Sequence, residues 1–484
     1  MRAQLKRSVL MMCILLAFGI DSGVSDVFAQ GSGGAAPSEI ENLKKQMSQM
    51  EEQLRQLRQK VDQLETKPVH AEPLSSAGAT PQELGEGNTE QRLRDLERQV
   101  QQQRAASRGV LAPFNPRISL NGLFAAAMFS DKNNLESGDH DPKVNGFNVQ
   151  NVELHLQGTV DPYFKMDANI VTFIEKGDTK VELEEAYGTS LALPANLQLV
   201  AGQYFTRFGR QNWQHPHQWD FVDQPVIFGR LFGPDGLRGP GAQVSWLAPT
   251  PFFLEFIAST QQAQGGIATS FLSEPGQTVR GYTLMDRSVQ KPGDLIYMPR
   301  VVTSMGLGDD VTAVLGGSTL FGPNASGPSN TTIIYGADLY VKWKPTNHSH
   351  GFPFVAWQTE FLFRDYDAGP DVVNGIPASR LKDYGVYSQI TYGFVYRWVA
   401  GFRVDYANSS GGGPGAPFST TLVQQDIVGE RWRLSPNVTF YPSEFSKFRL
   451  QYNLDFAASR GREAVHGVFL QAEFNIGEHG AHPF

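Results

Sequence analysis

From residue 117 onward the sequence alternates between apolar and polar residues with a period of two. In the segment 448–456, Phe448, Leu450, Tyr452, Leu454 and Phe456 make one face apolar, and the residues between them are polar or charged. Successive side chains of a β-strand point to opposite faces, so this pattern predicts strands with one apolar and one polar face. We predict about sixteen strands, at residues 117–130, 146–160, 163–175, 180–193, 196–209, 237–249, 252–262, 295–306, 311–320, 332–345, 352–366, 383–394, 396–408, 425–441, 446–458 and 464–477.

The connections between these strands alternate in length. Short links, such as 161–162, 193–196 and 442–447, alternate with longer ones near 131–145, 210–236, 263–294, 321–331, 367–382 and 409–424; residues 176–179 and 459–463 are exceptions. Short turns on one rim and long loops on the other are typical of outer-membrane barrels, and each strand has about the length needed to cross a bilayer. We therefore predict an all-β membrane protein with an antiparallel transmembrane β-barrel at 115–484. A soluble sandwich, with its apolar face inward, is the alternative.

The first 29 residues have the pattern of a secretory signal peptide, because Arg2, Lys6 and Arg7 precede the apolar run 8–20. Cys13, the only cysteine, lies inside this segment, so the mature chain would form no disulfide. Removal of the segment would change the net charge from -8 to -9, which argues against a nucleic-acid partner. Beyond residue 30 no apolar run approaches the roughly 18 residues of a membrane helix, so we exclude a helical membrane protein.

Residues 38–67 predict an α-helical coiled coil that precedes the barrel. Its apolar residues recur three and four apart, as in a heptad seam: Ile40, Leu43, Met47, Met50, Leu54, Leu57, Val61 and Leu64. This seam is narrower than the stripe of a lone amphipathic helix, which favours self-association. A linker rich in Pro, Gly and Ser follows at 68–89, and a short helix is predicted at 90–104. An even strand count would place the coiled coil on the short-turn side, in the periplasm.

The connection 210–236 is rich in aromatic and charged residues and too long for an ordinary turn. We predict that it folds into the barrel as a constriction loop. Its charged residues and those at its margins would then discriminate between solutes: Arg207, Arg210, His215, His217, Asp220, Asp223, Arg230, Asp235 and Arg238. The alternative is that these charges pair with each other and hold the shape of the loop.

The sequence offers little evidence for a metal or for catalysis. His215 and His217 flank Pro216 and would share one face of an extended segment, but only Asp220 and Asp223 lie nearby as further ligands. We therefore predict no metal and no cofactor, with these two histidines as weak candidates. The carboxylates of Glu182 and Glu184 would line a wet lumen, and no catalytic motif occurs, so we predict no enzymatic activity.

Five arginines on three consecutive predicted strands would form one basic wall of the lumen. They are Arg397, Arg403, Arg431, Arg433 and Arg449. Such a wall indicates a modest preference for anionic solutes.

With these features the chain resembles Gram-negative outer-membrane porins that carry an N-terminal coiled coil, within the phosphate-selective porin O/P-like superfamily. The segments GQYFTRFG (202–209) and VFLQAEFNIG (468–477) carry the resemblance. It implies a homotrimer in the outer-membrane lipid of a Gram-negative bacterium. It also implies a terminal aromatic residue, Phe474 or Phe484, that the barrel-assembly machinery reads.

The residues 215–251 are also similar to outer-membrane proteins labelled zinc-regulated TonB-dependent receptors. Those receptors have a large plug and about 22 strands, and this chain is too short for them. We therefore expect a porin that passes small hydrophilic solutes, anionic ones among them, by passive diffusion. The alternatives are a substrate- or zinc-specific uptake receptor and a structural or adhesin barrel tethered to the cell wall.

Overall fold

The computed structural model describes residues 117–131, 134–175, 177–411, 429–458 and 461–477. The predicted signal peptide, the linker 68–89 and the short helix 90–104 lie outside the described residues. The same holds for the coiled coil 38–67 with its seam from Ile40 to Leu64, and for Phe484.

Sixteen antiparallel strands close into a barrel in which the first strand pairs with the last, and two further short strands, β8 (Thr278–Val279) and β9 (Tyr282–Thr283), lie outside it. In chain order they are β1 Arg117–Phe129, β2 Gly146–Thr159, β3 Phe164–Glu175, β4 Asp178–Ser190, β5 Leu197–Phe205, β6 Arg238–Leu247, β7 Phe253–Gln261, β10 Ile296–Leu307, β11 Val311–Pro323, β12 Thr331–Trp343, β13 Phe354–Ala368, β14 Ser379–Val395, β15 Trp398–Ser410, β16 Arg431–Ser443, β17 Ser446–Ala457 and β18 Ala464–Gly477. Each strand pairs with the barrel strands that precede and follow it in the chain, and β1 and β18 pair with each other to close the barrel. The prediction of an antiparallel barrel with about sixteen strands is confirmed.

The wall has the two faces that the alternation predicted. On β17, Phe448 and Leu450 are 40% and 56% exposed on the outside, whereas Arg449 and Gln451 point inward and are buried. The same contrast between large apolar side chains outside and polar ones inside recurs around the barrel. Within the described part of the chain, no helix has the length and hydropathy needed to cross a membrane.

The connections divide between the two rims largely as predicted. One rim carries residues 160–163, 191–196, 248–252, 308–310, 344–353, 396–397 and 444–445. The other carries the described residues of the connections 130–145, 176–177, 206–237, 262–295, 324–330, 369–378, 411–430 and 458–463. We name the first the short-turn rim and the second the long-loop rim.

Several predicted strand limits are wrong, among them the start of β14, which lies at Ser379 rather than 383. β5 ends at Phe205 rather than 209, because the chain leaves the wall there and enters the barrel. β15 begins at Trp398, since Tyr396 and Arg397 form the turn after β14. β16 begins at Arg431 rather than at residue 425. A small hairpin of β8 (Thr278–Val279) and β9 (Tyr282–Thr283), inside the connection 262–295, was not predicted.

Residues 206–237, which we call the inward loop, are packed inside the barrel around a short helix, α1 (Val226–Phe232). Five apolar side chains of α1 belong to one buried cluster, which also contains residues of the inward loop, of the connection 262–295 and of seven strands. These wall residues are Ile257, Ile296, Met298, Leu320, Ile334, Leu362, Tyr387 and Ala407. Arg230 is the one charged residue of α1, and a helix with so little polar surface is expected only where it is buried. Full burial of a large apolar side chain contributes about 1.5–3 kcal/mol, so this packing holds the loop strongly inside.

Candidate functional site

The inward loop is first held by Glu360 on β13. The backbone N–H groups of Arg210 and Gln211 each donate a hydrogen bond of 2.9 Å to its carboxylate. Gly209 has φ +60°, and a Cβ atom at this position would overlap Oε2 of Glu360. Glycine therefore allows both the left-handed backbone and the close approach that these hydrogen bonds need.

Further along, Asp223 of the inward loop lies in a buried group of charges that we call the arginine cluster: Glu136, Asp223, Arg403, Asp405, Arg431, Arg433 and Asp455. Arg403 donates to Oδ1 of Asp223 at 2.9 Å, and Arg433 pairs with its Oδ2. Burial alone would raise the pKa of Asp223, but Arg403 and Arg433 hold it well below its usual range. The carboxylate of Asp223 is therefore ionised and held by these guanidinium groups.

Glu136 carries the opposite pKa shift within the same cluster. Its carboxyl accepts hydrogen bonds from Arg433 at 2.9 Å and Asn453 at 3.2 Å. Burial raises the pKa of Glu136 to about 8; Arg433 opposes this, and the neighbouring Asp223 adds to it. Four carboxyl groups face three arginines in the cluster, so one bound proton on Glu136 makes the charges balance.

The predicted basic wall is thus largely neutralised. Arg403, Arg431 and Arg433 are buried against carboxylates of the arginine cluster. Arg449 also points inward and donates to Oγ1 of Thr439 and to the backbone carbonyl of Trp219. The placement of Arg397 on this wall is wrong, because it lies exposed in the turn after β14, with its guanidinium group 4.9 Å from the ring of Tyr396.

A second group of buried charges lies beside β2 and β4. This histidine cluster contains His140, Glu153, Glu184, Glu185, His215, His217 and Asp235. Nδ1 of His215 lies 3.1 Å from Oε2 of Glu184 and 3.5 Å from Oε2 of Glu153. Its Nε2 atom lies 2.9 Å from Oε2 of Glu185.

Glu184 connects His215 to a second histidine. Its Oε1 atom lies 3.2 Å from Nε2 of His140, which in turn is 2.9 Å from Oδ1 of Asp235. Nδ1 of His140 lies 3.1 Å from the backbone carbonyl oxygen of Gln150. His217 contacts Oε2 of Glu153 at 3.2 Å and stacks on His215.

Two β-bulges produce this arrangement. On β4, Leu183 pairs with Ile170 and Glu185 with Asn169, so Glu184 is an extra residue without a partner on β3. The bulge turns the consecutive side chains of Glu184 and Glu185 both inward, which a regular strand cannot do. On β2, Gln150 is the extra residue opposite β1, and its backbone carbonyl faces His140.

The carboxylates strongly affect the two buried histidines. Burial on its own lowers the pKa of His215, but Glu153, Glu184 and Glu185 overcome this and hold it well above its ordinary value. Burial likewise lowers the pKa of His140, and its contacts with Asp235 and Glu184 raise it well above that value. Without another cation, both rings would therefore be protonated near neutral pH.

The histidine cluster borders a polar cavity of about 830 Å³, which we call the vestibule. The vestibule extends from residues at the short-turn rim, such as Arg117 and Glu444, to His215 and His217 on the inward loop. Its charged lining has three basic residues, Arg117, Lys165 and Arg207, and four acidic ones, Glu153, Asp167, Glu185 and Glu444. Water-soluble species can therefore reach the histidine cluster from this rim.

The other predicted loop residues are spread over several parts of the barrel. Arg207 lies 3.7 Å from Glu255 and over the ring of Trp213. Arg210 lies over Tyr340 at 4.2 Å. The carboxylate of Asp220 accepts a hydrogen bond from Gln389 at 3.2 Å, and burial raises its pKa.

The last members lie near the end of the loop. Arg230 donates to Ser409 and to the backbone carbonyl of Gly429, and burial lowers the pKa of Arg230 to about 10. Arg238 pairs with Asp235 and, at 2.8 Å, with Glu182. The nine predicted residues thus contact several different strands, and most of their charges contact groups of opposite sign or carbonyl oxygens.

The sequence analysis missed His140 and Glu185 as functional residues and did not connect Glu153 or Glu184 with His215. One signal was present for the acidic pair. In VELEEAYG (181–188) the period-two alternation breaks at the Glu184-Glu185 doublet, which is the position of the bulge. The partnership with His215 depends on where the inward loop folds, and no local pattern gives that.

No family model matches the chain, and comparisons with known proteins found similar solved structures and a relative in sequence. It is similar to the anion-selective porin from Comamonas acidovorans, with 10% identity, a TM-score of 0.47, and coverage of 75% of this chain and 100% of that one. It is also similar to the outer membrane channel DcaP of Acinetobacter baumannii, with 12% identity, a TM-score of 0.46, and coverage of 75% of this chain and 96% of that one. OmpT of Vibrio cholerae in its trimer form has 8% identity and a TM-score of 0.43, and the match covers 75% of this chain and 99% of that one.

A closer match in sequence is an uncharacterized protein of Aquifex aeolicus (strain VF5). The two chains are 30% identical over 382 residues, which cover 75% of this chain and 76% of the relative. The chain described here belongs to the same family as this Aquifex aeolicus protein.

Proposed function

We propose that this protein is an outer-membrane channel of a Gram-negative bacterium that passes small hydrophilic solutes by diffusion. The main support for this proposal is the closed sixteen-stranded wall, with large apolar side chains outside and buried polar and charged side chains inside. Such a wall suits lipid on its outer surface and water within. The chain has no need of energy input for this function, because solutes would move down their gradients.

The inward loop narrows the channel. Its helix α1 is part of a buried apolar cluster with residues of seven strands, and the vestibule is left as a water-accessible part of the lumen. The pairing of Arg403, Arg431 and Arg433 with carboxylates, and the mixed charges of the vestibule, support selection mainly by size. The anion preference that the sequence suggested is therefore not part of the proposal.

The assembly proposals follow from the sequence. The heptad seam 40–64 supports a homotrimer held partly by a periplasmic coiled coil. Phe474, which faces outward on β18 and is 48% exposed, is the candidate for recognition by the barrel-assembly machinery. Deletion of the coiled coil would then weaken the trimer, and any remaining trimer would be held by contacts between the barrels.

Conductance across a planar lipid bilayer tests the proposal. We expect purified protein to open in groups of three equal steps, as a trimer of channels would. Phe205 and Arg238 are paired neighbours, so a short Gly/Ser turn can replace residues 210–236 without moving β5 or β6. This variant should conduct several times more than the intact protein, because it lacks the packing that fills the lumen.

The matched control shortens another connection on the same rim. Deletion of residues 372–375, whose Val372 and Val373 are 86% and 92% exposed, should leave the conductance unchanged. A folded barrel that conducts neither with nor without the inward loop would refute the channel. So would a leaderless protein that stays folded and soluble without detergent or lipid.

A further inference from the structure

Three ligand atoms from different elements converge in the histidine cluster. Nδ1 of His215, Oε2 of Glu184 and Oε2 of Glu153 lie within 4.8 Å of one another, and all three residues are buried. Bonds of 2.0–2.2 Å to a tetrahedral metal ion place its ligand atoms about 3.4 Å apart. The distances of 3.1 Å and 3.5 Å from Nδ1 of His215 to the two carboxylates agree with that separation.

The opposite edge of the His215 ring is arranged as it is in metal sites. Nε2 lies 2.9 Å from Oε2 of Glu185, and the same oxygen accepts a hydrogen bond of 3.0 Å from Nδ2 of Asn169. A proton on Nε2, donated to Glu185, leaves the lone pair of Nδ1 facing Glu153 and Glu184. Metal-binding histidines almost always donate their second N–H to a carboxylate or carbonyl, which fixes the tautomer and the ring orientation. Glu185 is therefore a positioning residue for His215.

The charges of the cluster favour a cation as well. Within the described residues, Glu153, Glu184 and Glu185 form ion pairs with histidines and with no lysine or arginine. Hydrogen bonds from a protonated His215 are the simpler interpretation of the same distances. However, the single hydrogen on Nδ1 can be donated to only one of Glu153 and Glu184, and the other contacts of these carboxylates are also histidines, His217 and His140. One divalent ion can bind both carboxylates and offset their charges.

We propose that His215, Glu153 and Glu184 bind one divalent transition-metal ion of the zinc type. An imidazole ligand favours such ions over Mg²⁺ and Ca²⁺, which prefer oxygen. Glu153 lies on β2, Glu184 on β4 and His215 on the inward loop, so the ion joins the loop to the wall. His215 and Glu153 line the vestibule, which gives the ion an aqueous entry path. The site does not depend on whether the barrel conducts solutes.

A neighbouring group shares one of these ligands. His140, Glu184 and Asp235 also bring their ligand atoms within 4.8 Å of one another. Asp235 is already paired with Arg238 there, and a guanidinium group competes with a metal for the carboxylate. We therefore assign the ion to the group that contains His215. His140, which contacts the other oxygen of Glu184, is the histidine to compare with it.

Binding of Zn²⁺ to the full-length protein in detergent, after removal of metals with EDTA, tests the site. Calorimetric titration and elemental analysis should give one Zn²⁺ per chain. The variant His215→Ala should bind at least about 100-fold more weakly, and Glu185→Gln about 10- to 100-fold more weakly, the usual effect of losing a group that orients a ligand. The variant His140→Ala loses only a hydrogen-bond partner of the ligand Glu184, so it should still bind the ion and lose no more affinity than Glu185→Gln.

The control is His155→Ala, because His155 also lines the vestibule and lies 3.6 Å from a carboxylate, that of Asp167. It should bind Zn²⁺ as the intact protein does. Co²⁺ bound to the intact protein should give the visible absorption of tetrahedral coordination, and this readout needs no variant to fold. The proposal is overturned by fewer than one ion per chain, by equal losses in His155→Ala and His215→Ala, by equal affinity for Mg²⁺, or by an octahedral Co²⁺ spectrum.

Discussion

Two clusters of buried charge hold the inward loop, and they differ in chemistry. In the arginine cluster, Asp223 is bound by Arg403 and Arg433, whose charges do not change at ordinary pH. In the histidine cluster, His215 meets three carboxylates with no lysine or arginine paired to them among the described residues. The first is internally balanced, and the second borders the vestibule and requires protons or a metal ion. The comparison teaches that the arginine cluster fixes the inward loop, whereas the histidine cluster can respond to a ligand.

The largest expected effect comes from the arginine cluster. The variant Asp223→Ala leaves Arg403 and Arg433 without the carboxylate between them, and breaking a buried ion pair in this way costs about 3–5 kcal/mol. Urea titration in detergent micelles would measure this loss in the free energy of unfolding. The control is Lys143→Ala, which removes a half-exposed ion pair with Asp139 and should cost below about 1 kcal/mol. Equal losses in the two variants would contradict the importance of the arginine cluster.

A smaller effect should appear as a pH dependence within the arginine cluster. The pKa of Glu136 is raised to about 8, so the folded protein keeps a proton that the unfolded chain releases above its ordinary pKa near 4.5. The contribution of Glu136 to stability is therefore complete below pH 4.5 and is lost as the pH rises to 8.

The variant Glu136→Gln keeps the neutral form at every pH and tests this dependence. Between pH 5 and 8 it should lose less stability than the intact protein, by more than about 1.4 kcal/mol, the equivalent of one pKa unit. Urea titrations at both pH values measure the difference, and Asp139→Asn in the same connection is the control. Identical pH profiles for Glu136→Gln and the intact protein would show that Glu136 is ionised throughout.

The smallest effect belongs to the edge of the histidine cluster. His217 contacts Glu153 at 3.2 Å, and its side chain is 19% exposed to the vestibule. In metal-free protein, His217→Ala should cost about 0.5–1.5 kcal/mol, the usual contribution of one hydrogen bond, because water can replace the imidazole. A urea titration beside that of Asp223→Ala measures it. A loss as large as that of Asp223→Ala would remove the distinction between the two clusters.

The sequence predicted the barrel well because its signal is local and repeated. Apolar and polar residues alternate along each strand, as in 448–456, and this pattern decides which side chains face outward. The limits of β5 and β15 were wrong because the alternation continues beyond the strands: Thr206 and Arg397 fit the pattern of the sequence but lie in connections.

The candidate site could be predicted only in part. His215 and Asp223 stood out as charged residues in a long loop, but their partners lie far along the chain, with Asp223 and Arg433 separated by 210 residues. Such contacts depend on how the loop packs in three dimensions, which α1 and its apolar neighbours determine. The helix itself was hidden because it is too short to show a helical repeat.

The β4 bulge makes the histidine cluster dependent on the length of the chain as well as on its residues. From Ala168 to Phe173 there are five steps along β3, whereas their partners on β4, Ala186 and Lys180, are six steps apart. Loss of a single codon in this interval would even out the two strands and return one glutamate to the lipid side or remove it. Homologues can therefore be sorted for this site by counting residues between two paired positions, before any side chain is compared.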